Sequence, residues 1–89
     1  MNQIHLTISG RVQGVFYRAS CQDVAVKYGL SGWVKNLLGG EVEVLAQGDK
    51  NNLEKFIEWC KKGPPRAHVS NVQIEWQEVK EKLISFVIT

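Results

Sequence analysis

Ile4, Leu6 and Ile8 alternate with the polar His5 and Thr7, which predicts a strand from Ile4 to Val12 with one buried face. After Gln13 and Gly14 the spacing becomes helical, with Tyr17, Cys21, Val24 and Tyr28 on one stripe and Gly29 as a stop. Ser31 to Leu37 and Glu41 to Gln47 predict two strands joined through Leu38-Gly39-Gly40. In the second of these, Val42, Val44 and Ala46 are expected inward and Glu41, Glu43 and Gln47 outward. Asp49 is placed to cap a second helix whose inner stripe is Leu53, Phe56, Ile57 and Cys60, and Gly63-Pro64-Pro65 ends it. Val72, Ile74 and Trp76 then alternate with Gln73, Glu75 and Gln77, and a final run alternates Ile84, Phe86 and Ile88.

The element order is therefore βαββαβ with a short extra terminal strand. Two amphipathic helices pack most simply on one face of an antiparallel sheet, a ferredoxin-like α+β sandwich. With 89 residues, 44% of them hydrophobic, positions 1–89 are expected to form a single domain around one core. That architecture hosts many functions and identifies none.

Composition narrows the choice. A net charge of +2 and a pI of about 8.6 argue against nucleic acid or an anionic membrane as partner, so any anion site must be local. No apolar run approaches the roughly 18 residues of a membrane span. The start, Met1-Asn2-Gln3-Ile4-His5, lacks the pattern of a signal peptide, and a cytoplasmic location is expected. Cys21 and Cys60 have no Cys-x-x-Cys spacing and only His5 and His68 accompany them, a poor set for zinc, so free thiols and no metal are expected.

The informative stretch is Gly10-Arg11-Val12-Gln13-Gly14-Val15-Phe16-Tyr17-Arg18, across the end of the first strand and the start of the first helix. The first amides of a helix have no intrahelical acceptors and point along the positive end of its dipole, and Gly14 lets the loop before them curl. Arg18, in the first turn, can bend back toward the same cradle and make two parallel charge-assisted bonds to a phosphate. An ordinary strand-to-helix turn with a surface arginine fits the same spacing.

Mechanism is also restricted. Val12 occupies the position where a cysteine phosphatase would carry its thiolate, and Cys21 lies on the apolar stripe, where packing explains it. His5 and His68 have no carboxylate of the motif beside them, and Asp23 on the first helix has no acidic partner. A cradle without nucleophile, base or metal suits a substrate with a good leaving group, such as an acyl phosphate. Asn36, closing Gly32-Trp33-Val34-Lys35-Asn36, could position the attacking water, although an asparagine before a turn needs no such role.

Together these segments resemble the acylphosphatase family: GRVQGVFYR at 10–18, GWVKN at 32–36, GEVEV at 40–44, QGD at 47–49 and GPPRAHV at 63–69. The resemblance spans almost the whole chain and implies an acylphosphatase that hydrolyses acyl phosphates to a carboxylate and inorganic phosphate. It further implies that Arg18 and amides of Gln13, Gly14, Val15, Phe16 and Tyr17 bind the phosphoryl group and that Asn36 orients water. No metal or cofactor is implied. The partners expected are a small acyl phosphate and inorganic phosphate, as product and inhibitor, with no nucleic acid and no membrane, on a monomer. The chain departs from the family pattern at Gly39, where many relatives carry an acidic residue, which bears on the turn and not on the chemistry. The competing classes are a non-enzymatic anion-binding module and a single-stranded RNA-binding module, the latter faintly suggested by Gly14-Val15-Phe16-Tyr17.

Overall fold

Alternation in the first segment is realised over ten residues. In a computed structural model that describes all 89 residues, β1 runs Asn2–Arg11 and buries Ile4, Leu6 and Ile8 completely. The elements that follow are α1 (Tyr17–Lys27), β2 (Ser31–Asn36), β3 (Val42–Gly48), α2 (Lys50–Lys62), β4 (His68–Gln77) and β5 (Phe86–Ile88). The strands form one sheet in the order β4-β1-β3-β2-β5. The four longer strands pair antiparallel, and the expected ferredoxin-like sandwich is present.

Core positions follow from periodicity. Tyr17, Cys21 and Ala25 of α1 and Leu53, Phe56, Ile57 and Cys60 of α2 are buried over the sheet face that carries Ile4, Leu6, Ile8, Val34, Val42, Val44 and Ala46. Each valine, leucine, isoleucine or phenylalanine among them contributes about 1.5–3 kcal/mol by leaving water. Val24 and Tyr28 sit half-buried at the margin of this core. Gly63, at φ 70°, stops α2, its N–H bonded to the Trp59 carbonyl at 2.7 Å. Gly32, at φ 146°, is required by closeness: a Cβ there would strike the Leu45 carbonyl of the neighbouring strand.

Four details differ from the sequence reading, the first three for a physical reason. β5 joins β2 in parallel, because the chain leaves β4 at one edge of the sheet, crosses its open face through residues 78–85 and has turned round on reaching the other edge. Gln47, expected outward, is buried because that crossing segment covers it. Its Nε2 donates to Gln3 Oε1 (2.8 Å) and the Glu81 carbonyl (2.6 Å), and its Oε1 accepts from the Leu83 N–H (2.9 Å). Ile74 and Trp76 stay exposed since β4 is an edge strand that α2 covers only in part, and Ile84 lies in the crossing segment, fully in water. Asp49 does stand at the N-cap of α2, but its side chain makes no capping bond.

Candidate active site

The loop between β1 and α1 is held by alternate side chains. Val12, Val15 and Tyr17 point into the core, while Gly14 and Phe16 between them stay exposed. Tyr17 is the deepest anchor. Its hydroxyl donates to the Cys60 carbonyl at 2.7 Å, and its ring lies 5.3 Å from that of Trp59. Gly14, at φ 74°, faces open space, and Phe16 takes φ 65° and ψ 22°, which turns the chain into the helix.

The first helical bond runs from the Ser20 N–H to the Phe16 carbonyl at 3.1 Å. The amides from Gly14 through Ala19 donate to no backbone or side-chain acceptor, and those at the start of α1 lie at the positive end of its dipole. An anion is the natural complement of such a row. Arg18 extends beside it, half-buried, with Nη1 3.4 Å from the main-chain oxygen of Thr89. Thr89 is fixed in turn by its own N–H, bonded to the Val34 carbonyl at 2.9 Å.

Gly14, Phe16, Tyr17, Arg18 and Asn36 line one cleft of about 310 Å³, whose wall is completed by Val12, Ala19 and Ile88. Arg18 and Asn36, far apart in sequence, thus meet across one small space. Two candidates from the motif lie off its surface. The Val15 side chain is packed in the core, and the Gln13 carboxamide is turned away, its Nε2 donating to the carbonyls of Leu37 (2.7 Å) and Glu41 (2.8 Å). Both could offer only main-chain amides to a ligand. The Gln13 bonds brace the loop against the hairpin whose first strand ends in Asn36.

Larger depressions exist elsewhere, one of about 640 Å³ beside Trp59, Pro64 and Pro65 and one of about 480 Å³ beside the crossing segment, but neither combines an arginine with unpartnered amides. Ile88 and Thr89 had no signal in the sequence as site residues, because only the pairing of β5 with β2 brings them there.

Other reactive groups are accounted for by structure. Cys21 and Cys60 are buried, unbridged thiols on the facing sides of the two helices. Burial, with Cys60 nearby, pushes the Cys21 thiol up, and burial with the two thiols nearby pushes up the Tyr17 phenol, so both stay neutral. On the open sheet face His5 Nε2 meets Glu43 Oε2 at 2.7 Å and Lys35 Nζ meets Glu43 Oε1 at 3.4 Å. The histidine bond, with help from Lys35, holds the Glu43 carboxyl below its ordinary value. No group of three or more His, Cys, Asp and Glu side chains is placed to hold a metal ion.

An α+β sandwich whose first loop offers unpartnered amides beside an arginine has the features that suit an anion. The family model described as acylphosphatase matches residues 4–88, and the chain belongs to the acylphosphatase family. The acylphosphatase of Pelotomaculum thermopropionicum is 44% identical over 84 residues, 94% of this chain and 91% of that relative. The crystal structure of acylphosphatase from Bacillus subtilis matches with a TM-score of 0.97 at 39% identity, covering 100% of this chain and 99% of that one. An acylphosphatase structure from Coxiella burnetii matches at 0.94 and 44% identity, covering 99% and 92%. Membership favours an enzyme over an RNA-binding or anion-sensing module.

Proposed function

We propose that this chain hydrolyses the carboxyl-phosphate bond of acyl phosphates by direct attack of water. The carrying observation is that Arg18, the unpartnered amides and Asn36 share one cleft. The amides of the Gln13 to Tyr17 loop and the Arg18 guanidinium hold the phosphoryl oxygens, and the planar fork of Arg18 suits two parallel bonds. The Asn36 carboxamide orients a water in line with the leaving group. A bond forms from the water oxygen to phosphorus as the bond from phosphorus to the acyl oxygen breaks. The carboxylate leaves with that electron pair, and the proton of the water passes to a phosphoryl oxygen. No side-chain base is required, because a carboxylate is a weakly basic leaving group, and positioning with charge stabilisation supplies the rate.

One unit over residues 1–89 works as a monomer, all of the cleft's residues coming from one chain. Inorganic phosphate, the product, inhibits by occupying the cradle. A cytoplasmic setting suits the two buried, unbridged cysteines, and no helix is long and apolar enough to cross a membrane. The test is hydrolysis of benzoyl phosphate by protein treated with a chelator, in wild type and two variants. Arg18→Lys keeps the charge and loses the fork, so phosphate inhibition and turnover should both collapse. Asn36→Ala leaves the cradle whole, so inhibition by phosphate should persist while turnover falls by roughly two orders of magnitude or more. Activity lost to the chelator and restored by Mg²⁺ or Zn²⁺ would refute the mechanism. A folded Asn36→Ala enzyme keeping over about half its turnover would return Asn36 to the role of a turn residue.

A further inference from the structure

The Phe16 ring has no part in the core. It is 70% exposed, and its backbone, at φ 65°, lies in the left-handed region where a large side chain is disfavoured. No other residue except glycine takes a positive φ in this chain. Glycine or asparagine would hold this conformation with less strain. An aromatic ring kept in water on a strained backbone, beside Gly14, Arg18 and Asn36, points to a ligand.

The in-line geometry of the proposed reaction says which part of the ligand. Water guided by Asn36 attacks from one side of phosphorus, so the acyl group must extend away from the end of β2. Arg18 is the one charged residue lining the cleft, and the phosphoryl group engages it. What remains for the acyl group away from β2 is apolar, chiefly the Phe16 ring, since Ile88 pairs with Val34 beside Asn36. We propose that Phe16 forms an acyl-group subsite that selects acyl phosphates bearing an aromatic or bulky apolar group over acetyl phosphate. This rests on the acylphosphatase reading and adds to it the class of substrate.

The test compares kcat/KM for benzoyl phosphate with that for acetyl phosphate in wild type, Phe16→Asn, which suits the backbone, and Phe16→Leu, which keeps an apolar contact. Any disturbance of the cradle lowers both rates and cancels in the ratio. The benzoyl-to-acetyl ratio should fall about fivefold in Phe16→Asn, the loss expected for one aromatic contact, and less in Phe16→Leu. A ratio unchanged in folded Phe16→Asn overturns the subsite. Affinities of benzoylphosphonate and acetylphosphonate, which are not hydrolysed, read the subsite without turnover. A protein that turns over neither substrate, yet prefers benzoylphosphonate through Phe16, keeps the subsite and sinks the acylphosphatase reading. Hydrolysis with no preference of the wild type for benzoylphosphonate sinks the subsite alone.

Discussion

Replacing Gln13 by methionine removes the brace between the loop and the hairpin while nearly preserving volume. The perturbation is well bounded, because neither acceptor is orphaned. The Leu37 carbonyl keeps a bond from the Gly40 N–H at 3.2 Å, and the Glu41 carbonyl keeps one from the Leu37 N–H at 2.8 Å. What is lost is two half-buried bonds, at 2.7 and 2.8 Å, together about 1–2 kcal/mol. For a domain of this size that corresponds to a fall in Tm of about 5–10 °C, readable by calorimetry. Turnover should also suffer. The turn of the released hairpin follows directly on Asn36, and a small misplacement of the residue that orients water costs on the order of tenfold or more in kcat. Gln13→Glu should be worse than Gln13→Met, since a carboxylate of the same shape has no donor and would face two carbonyl oxygens. A drop in Tm of less than about 1 °C for Gln13→Met would refute the energetic account. The expected drop with kcat unchanged would show that the brace does not govern Asn36.

The pairing of Glu43 with His5 and Lys35 has a defined pH signature. Its carboxyl pKa is depressed on folding, so the pair stabilises above the unfolded carboxylate value of about 4.3 and that contribution is lost as pH falls through the lower folded value. The stability gap between wild type and Glu43→Gln, measured by denaturant titration, should therefore be full at neutral pH and close in acid. Neither thiol should react with an aromatic disulfide reagent until denaturant is added, and Cys21→Ala should cost on the order of 1 kcal/mol with turnover close to wild type. Rapid labelling of the folded protein would contradict that. Gln47→Met removes one donated and one accepted bond that hold the crossing segment, at Glu81 and Leu83, so proteolysis should begin within residues 78–85 in the variant and not in wild type.

Which of these features could be read from the sequence depended on whether the determining contact was local. The stripe Leu53, Phe56, Ile57 and Cys60 is a matter of helical period, and all four residues are buried where it puts them. Ile4, Leu6 and Ile8 follow the strand period in the same way. Alternation says which residues share a face and not how well that face is covered. Trp76 therefore ended up on an exposed edge, and Gln47, polar and assigned to the open face, lies beneath a segment distant in sequence. At the cleft, the glycine-containing loop and Arg18 were visible because a strand end, a loop and a helix start are contiguous. The outward turn of the Gln13 side chain was not visible, since its acceptors belong to the β2–β3 hairpin. Nor was the approach of Thr89 to Arg18, which depends on where β5 pairs.

That last contact orders events in time. Arg18 and Thr89 stand 71 residues apart in the chain, and β5 docks on β2 at the edge of the sheet remote from β4. Contacts of such separation close late and slowly, after local helices and hairpins have formed. On refolding from denaturant, helical circular dichroism should return before tight phosphate binding does. The cleft then becomes a clock for the docking of β5, since a chain that has gained its helices and hairpin still lacks one wall of the cleft until the terminal strand arrives.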